Sequence, residues 1–356
     1  MTRFTLSTVT PNWFATVMGT GIVATATVTL PVAFPGQRAA ALVVWLLAAV
    51  LLVFLLVATA VHWLRHPRRA REHHRHPVMA HFYGAPPMAM LTVGAGALLI
   101  GRDLIGLPAA LAMDAVLWTA GTLLGLASAV IVPYLVFTTH EVRDDAAFGG
   151  WLMPVVPPMV SAATGALLVP HLPEGQSRET MLLACYAMFG LSLIASLLVI
   201  TQLWARLTRH KVGASAAVPT LWIVLGPLGQ SITAVNLLAG NASSALPGLD
   251  HALLVFAVLY SVPVLGFALL WMAVAVAITV RTARRGLPFS LTWWSFTFPV
   301  GTCVTGTAGL AAHTASTPLA VLSVALFAVL VVAWLTVGVR TLRGAVAHEV
   351  VPALPA

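Results

Sequence analysis

Residues 42–60 read LVVWLLAAVLLVFLLVATA, nineteen consecutive positions without a charged side chain. A helix rises about 1.5 Å per residue, so about 20 apolar residues cover a hydrocarbon core about 30 Å thick. A helix this apolar on every side belongs in lipid or in the centre of a large protein, because no polar face is left for water. The rest of the chain repeats the pattern. Of 356 residues, 60% are hydrophobic and 8% are charged, against about 25% charged in an ordinary soluble domain. That balance excludes a soluble enzyme, a disordered chain and a nucleic-acid binder. The net charge of +8 reads as basic residues gathered in cytoplasmic loops, with no acidic partner implied. Cys185 and Cys303 lie far apart in apolar stretches, a spacing that yields neither a disulfide framework nor a metal site; both read as packing residues.

Ten apolar runs stand between charged or Pro/Gly-rich breaks, near residues 11–31, 40–64, 86–106, 110–138, 151–170, 179–205, 217–240, 250–280, 289–313 and 317–340. The first run has little basic sequence before it and no small-residue cleavage signature, so it reads as a retained helix rather than a signal peptide. With ten spans, the termini and the loops after spans 2, 4, 6 and 8 share one side. Of the 18 basic residues, 15 fall there, Arg3, Arg143 and the Arg65–Arg75 and Arg281–Arg285 groups among them, and only Arg38, Arg102 and Arg178 fall on the other. The positive-inside bias then places both termini in the cytoplasm of a multi-pass cell-membrane protein.

The runs differ in character. In 20-residue windows, Gly, Pro, Ser and Thr total 38 on the odd spans and 16 on the even ones. Plain Leu/Val/Ala helices suit lipid contact, whereas small and hydroxylated residues permit close helix approach or line a wet cavity. Pro157, Pro158, Pro227 and Pro299 read as mid-helix prolines on odd spans, with Pro263 on an even one; such prolines persist where neighbours or water satisfy the released carbonyls. The odd spans start at intervals of about 75, 65, 66 and 72 residues, which reads as five repeated hairpins. The expectation is an all-α integral membrane protein, a single transmembrane domain over residues 1–356. Its ten transmembrane helices form five helical hairpins, with an inner ring of odd helices around a pore and an outer ring of even helices. A solid bundle using the same small residues for packing is the alternative.

All ten acids, from Glu72 to Glu349, fall in loops or at helix ends in this reading. Intramembrane carboxylates are the usual ligands of proton and cation carriers, so a cation path lacks its ligands here. Hydroxyls, helix N-termini and exposed N–H groups favour negative charge, and basic loops raise the local anion concentration. The candidate pore-lining residues are Gly19, Thr20, Thr92, Pro158, Ser161, Pro227, Gln230, Ser231 and Thr297, with Asn236 a further polar position on an odd span. Helix–helix contact is the alternative for each, since Ser and Thr can bond their own helix. Gln230 stands out because a buried primary amide needs partners.

The segment from His66 to His76 is dense in histidine, but its spacing fits no metal-ligand pattern, and contact with anionic lipid headgroups accounts for it better. His81 is a candidate for the cytoplasmic mouth of the pore. The competing reading is a membrane-embedded enzyme using this histidine segment; His62 and His66 form its one helical pair. No cofactor, metal or nucleic acid is called for.

Three stretches carry a family resemblance. PNWFATVMGTGI at residues 11–22, HFYGAPPM at 81–88 and WWSFTFP at 293–299 resemble the first, third and ninth helices of the tellurite-resistance/dicarboxylate transporter family. That family holds bacterial TehA-type proteins, fungal malate permeases and sulfite efflux pumps, and plant guard-cell slow anion channels. The resemblance implies transport of small anions, C4-dicarboxylates such as malate or inorganic anions such as sulfite and tellurite-type oxyanions, by a homotrimer with one pore per protomer. It also implies a phenylalanine gate on the ninth helix. Phe298, just before Pro299, matches that gate by position, with Phe296 as the alternative. An apolar ring at a narrow neck blocks ions sterically and by dewetting.

Overall fold

Each apolar run of the sequence contains a helix. The computed structural model describes residues 9–346, so Arg3 and Glu349, both counted above, lie outside the described residues. The helices are α1 (Phe14–Thr29), α2 (Gln37–Arg65), α3 (Pro67–Arg75), α4 (Ala85–Gly96), α5 (Arg102–Ile105), α6 (Leu107–Thr138), α7 (Pro157–Leu168), α8 (Gln176–His210), α9 (Leu225–Asn241), α10 (Asp250–Ala283), α11 (Phe298–Thr314) and α12 (Thr317–Val346). No strand occurs among the described residues. Seven helical stretches are long and apolar enough to cross a membrane: α2, Met79–Ile105, α6, α8, Ser215–Ser244, α10 and Thr317–Ala345 of α12. This is an all-helical, multi-pass membrane protein. The first, fifth and ninth runs carry shorter helices of 16, 12 and 17 residues.

The alternation seen in composition is an alternation in burial. In the most apolar part of Ser215–Ser244, 94% of residues are buried, and in Met79–Ile105 72%; in α2, α6, α10 and α12 the share is 22–28%. The exposed side chains of the long helices are Leu, Val and Phe, as at Leu64, Leu123 and Phe137, a surface suited to lipid. Consecutive helices pack as neighbours in five pairs, α1 with α2, α4 with α6, α7 with α8, α9 with α10 and α11 with α12. Contacts also run from α1 to α4, α4 to α7, α7 to α9, α9 to α11 and α11 back to α1. Tight turns join several of these pairs: Gly106 and Gly175 hold φ of 78° and 84° just before α6 and α8, a region glycine enters without a Cβ penalty.

Pro263 is interior to its helix, as the sequence reading has it, but the prolines of the odd spans are not. Pro157, Pro158 and Pro299 occupy the first turns of α7 and α11, and Pro227 the third position of α9. In the first turn the missing N–H has no intrahelical partner to lose, so these residues start helices and kink nothing. The interior prolines are Pro133 in α6 and Pro263 in α10, on long outer helices. Every buried helix of the cycle is instead preceded by a 3-10 segment: residues Pro11–Trp13, Met79–Gly84, Gly149–Leu152, Ser215–Val224 and Leu291–Phe296. The tighter 3-10 winding uses hydrogen bonds that proline-rich sequence can still supply.

Tryptophans on the long helices tie the buried ones in place. Trp45 of α2 donates its indole N–H to the Val93 carbonyl (3.0 Å), beside the π-helical turn Ala97–Gly101. Trp118 of α6 donates to the Ser161 carbonyl (2.9 Å), Trp271 of α10 to that of Leu221 (2.9 Å), and Trp334 of α12 to the Thr20 hydroxyl (3.1 Å). Each satisfies a polar group that would otherwise sit unbonded in apolar surroundings. Two of the three basic residues away from the main basic side are also tied down: Arg38 pairs with Asp103 (2.6 Å), and Arg178 donates to the Leu172 carbonyl (2.9 Å). Cys185 and Cys303 are free and buried, as packing residues should be.

Candidate functional site

Two cavities lie on the inner faces of α1, α4, α7, α9 and α11. A small one of about 30 Å³ is lined by Ala15 and Met18 of α1, Met88 of α4, Val156 just before α7, Gly226 and Pro227 of α9, and Phe298 and Pro299 of α11. Phe82, Met153, Ile223 and Trp294 close it from the preceding segments. The larger one, about 400 Å³, is lined by the later turns of the same helices: Ile22, Thr25 and Thr29; Thr92, Ala95 and Leu99; Ala163, Thr164 and Leu167; Gln230, Thr233 and Asn236; Thr305, Ala308 and His313. All five helices therefore start at the small cavity and end around the large one. They run parallel, with their N-termini gathered at the narrow end. Phe298, 5% exposed, belongs to the wall of both cavities.

The lining follows helical periodicity. On α1 it runs Ala15, Met18, Ile22, Thr25, Thr29; on α11 it runs Phe298, Thr305, Ala308 and Ala312. These i, i+3, i+4 and i+7 spacings are one face of a helix. The chemistry changes along that face. Around the small cavity it is apolar, with Met, Val and Phe side chains. In the large chamber the hydroxyls and amides of Thr25, Thr92, Thr233, Gln230 and Asn236 stand among Ile, Leu, Val and Ala side chains, and no Lys, Arg, Asp or Glu lines it. The large space, about 400 Å³, has room for many waters, whereas the small one, about 30 Å³, is close to the minimum of about 10–15 Å³ that a single water needs. A hydrated small anion fits the first and not the second.

α9 and α11 are in the closest contact. A Cβ on Gly229 would fall 2.5 Å from the Cys303 backbone nitrogen, and one on Gly306 2.8 Å from the Gly229 carbonyl. Between these helices Thr233 and Thr305 share a hydroxyl–hydroxyl bond of 2.7 Å at the chamber wall. Asn236 donates to the Ile232 carbonyl (2.8 Å) and the Ser261 hydroxyl (3.0 Å), while its carbonyl oxygen has no hydrogen-bond partner among the described residues.

Of the residues singled out in sequence, Phe298, Pro227, Thr92, Gln230 and Asn236 line the cavities. The others line neither, and each has a packing reason. A Cβ on Gly19 would run into the Thr297 hydroxyl and the Trp294 ring, so Gly19 and Thr297 are a close contact between α1 and the lead-in to α11. Thr20 takes the Trp334 indole bond on the far side of α1. Ser161 accepts from Thr122 of α6 (2.9 Å), Ser231 donates to the Leu228 carbonyl (2.8 Å), and Pro158 is buried in the first turn of α7. His81 is 4% exposed, stacked on Trp151 (5.9 Å) and edge-on to Phe148 (5.8 Å), so it is packed among rings and not open at a mouth. Phe296 packs edge-on against Trp222 and Trp293 and lines neither cavity. Thr25, Thr164, Thr233, Thr305 and His313 were passed over in sequence. The signal for the first four is their helical register with Ile22, Val160, Gln230 and Phe298.

The acids also need one correction. Asp114 does not lie at a helix end: it is the eighth residue of α6, fully buried against Gly94 of α4, and neither carboxylate oxygen has a hydrogen-bond partner among the described residues. It faces α4 from outside the chamber and lines neither cavity. The histidine segment forms α3, where His73 stacks on His62 (5.4 Å) and His74 on Trp63 (6.2 Å). Burial, and next the nearby His62, His74 and His76, lower the His73 pKa to about 4. No group of three or more His, Cys, Asp or Glu residues placed to hold a metal occurs among the described residues.

The chain is 29% identical to an uncharacterized transporter of Methanocaldococcus jannaschii over 295 residues, 83% of this chain and 81% of that one. It is 28% identical to a sulfite efflux pump of Arthroderma otae over 304 residues, 83% of this chain and 80% of that protein, and a sulfite efflux pump of Trichophyton rubrum matches to the same extent. The relatives are transporters, which sets aside the enzyme reading of the histidine segment. Residues 8–342 match the SLAC1 family, described as voltage-dependent anion channels. With nearly its whole length matched, the chain belongs to the SLAC1 family of anion channels and transporters.

Proposed function

We propose that the protein conducts small anions across the cell membrane along the axis of α1, α4, α7, α9 and α11, with Phe298 as the gate. The single observation that carries this reading is that one aromatic ring walls both cavities, between an apolar constriction and a wider chamber in which hydroxyl and amide groups are set into an otherwise apolar wall. An apolar ring at such a neck excludes a hydrated ion until it moves. The chamber offers donors without fixed positive charge, so an anion is solvated there and not trapped. The gathered helix N-termini bias the narrow end toward negative charge.

In this reading all ten apolar runs cross the membrane as five helical hairpins, the short helices α1, α7 and α11 completing their spans through the 3-10 lead-ins. The inner ring is α1, α4, α7, α9 and α11, and the outer ring is the five long helices. The closed cycle of inner contacts and the difference in burial support this arrangement. The basic α3 segment and the basic ends of α8 and α10 lie at the narrow end, which by the positive-inside bias supports a cytoplasmic narrow end and cytoplasmic termini. Thr92, Pro227, Gln230, Thr233, Asn236 and Thr305 line the path. The substrate class is a small oxyanion such as sulfite, by analogy with the relatives that are sulfite efflux pumps; tellurite-type oxyanions and C4-dicarboxylates such as malate are the other members of the class. The assembly is a homotrimer with one pathway per protomer.

The test is anion flux through purified protein in liposomes. Phe298→Ala is expected to raise sulfite or chloride flux severalfold, and Phe296→Ala to leave it near wild type. Equal flux in wild type and Phe298→Ala overturns the gate.

A further inference from the structure

A further cavity, sharing no lining residue with the two described above, lies where α8 and α10 end and the chain turns toward Ser215. This cleft of about 690 Å³ has an apolar back wall, including Trp271, Val274 and Ile278 of α10 and Leu207 of α8. Trp204 stands at its edge, 48% exposed and 6.0 Å from the Trp271 ring. Its rim is basic: Lys211, Arg281 and Arg285 line it, and no carboxylate does. None of these three cations takes part in an ion pair among the described residues. Arg206, just behind, is already committed to the Asp145 and Val212 carbonyls (both 3.2 Å), and the Asp145 carboxylate is taken by Arg143 (3.1 Å). Lys211 sits at φ 65°, a left-handed conformation costly for a residue with a Cβ. Its Nζ spends one hydrogen bond on the Thr208 carbonyl (3.1 Å), leaving two donors for a ligand.

From Trp271 to Arg285 the cleft follows α10 for about 20 Å at a helical rise of about 1.5 Å per residue. Its chemistry changes in one direction, from apolar and aromatic to cationic. That gradient matches a single amphiphile, acyl chain below and anionic headgroup above. An isolated inorganic anion would use the rim and leave the wall empty, and an apolar ligand would leave three charges without partners. Clefts between membrane helices with a basic lip are recognised sites for anionic headgroups, and tryptophan favours this interfacial depth.

We propose that the cleft between α8 and α10 is a binding site for one anionic phospholipid, its phosphate held by Arg281, Arg285 and Lys211 and its first acyl chain lying on Trp204 and Trp271. The site is separate from the anion pathway and does not depend on which anion is carried.

Native mass spectrometry of the full-length protein, titrated with phosphatidylglycerol, tests it. Wild type should retain one tight phosphatidylglycerol per protomer, in preference to phosphatidylcholine. Arg281→Gln/Arg285→Gln should weaken that first adduct about thirtyfold, the weight of two surface charges facing an anionic lipid. The control Arg340→Gln/Arg343→Gln on α12 removes equal charge elsewhere and should leave it intact. Glycerol 3-phosphate, the headgroup chemistry without chains, should not compete at the same concentration. Equal retention of phosphatidylcholine, an equal loss in the α12 control, or full competition by glycerol 3-phosphate overturns the proposal. So does the absence of any tight adduct, the result expected if a second protomer fills the cleft. Should the Arg281/Arg285 variant lose its native oligomer, the single substitution Trp204→Ala provides the reading: wild type should hold long-chain phosphatidylglycerol more tightly than a short-chain form, Trp204→Ala should lose that difference, and an unchanged difference overturns the proposal.

Discussion

Phe298 and Phe296 differ by two positions and have opposite surroundings, which is what a half-turn of helix does to a side chain. Phe298 begins α11 and faces the axis; Phe296 ends the 3-10 lead-in and packs on Trp222 and Trp293. Truncating Phe296 should therefore lower stability, by the 3–5 kcal/mol typical of a packed Phe→Ala change at most, and leave conductance alone. The flux comparison of the two variants separates the roles. His73 gives a second prediction. Its pKa, lowered to about 4 chiefly by burial, means that the folded protein resists a proton that the unfolded chain accepts near pH 6.5. Stability from the neutral ring is complete above pH 6.5 and falls as the pH drops toward 4. Melting temperatures of wild type should decline over that window, and those of His73→Gln should decline less; parallel curves would mean the ring is open to water.

At the scale of elements, the α9–α11 contact has no slack. Gly229→Ala sets a methyl group against the α11 backbone, and overpacking of this kind costs about 1–3 kcal/mol. Because α11 carries Phe298, the same substitution should alter anion flux as well as melting temperature, which a purely peripheral defect would not do. The turn from α11 to α12 behaves oppositely. Ala315 sits there at φ 50°, a conformation that costs an L-residue about 1–2 kcal/mol. Ala315→Gly should raise the melting temperature slightly without changing flux. The Ser, Thr and Gly content of the odd runs made the buried helices legible in sequence, but their prolines were misread. Pro157, Pro158 and Pro299 mark where 3-10 segments hand over to α-helix, and composition alone does not tell a first-turn proline from an interior one.

For the whole molecule, charge and packing make one consistent picture. The small cavity, the α3 segment and the cleft between α8 and α10 all lie at the basic end, so a cysteine in place of Arg69 should react with an impermeant maleimide only from the cytoplasmic side in cells. One in place of Arg178, in the first turn of α8, should react only from outside. Labelling of both from the same side would break the hairpin arrangement.

The sequence by itself determined the helical membrane class, the position of every apolar run and the alternation of small-residue with aliphatic helices. These follow from local composition, because lipid demands about 20 apolar residues per crossing. Only the tertiary structure decided which face of each buried helix meets the path. Thr20 and Ser161 are chemically as good as Thr25 and Thr233, yet Thr20 receives Trp334 and Ser161 receives Thr122, while Thr25 and Thr233 line the chamber. A helix surrounded by other helices is apolar and small on all sides. Its periodicity therefore carries no signal for inside against outside, and the choice is made by neighbours distant in sequence.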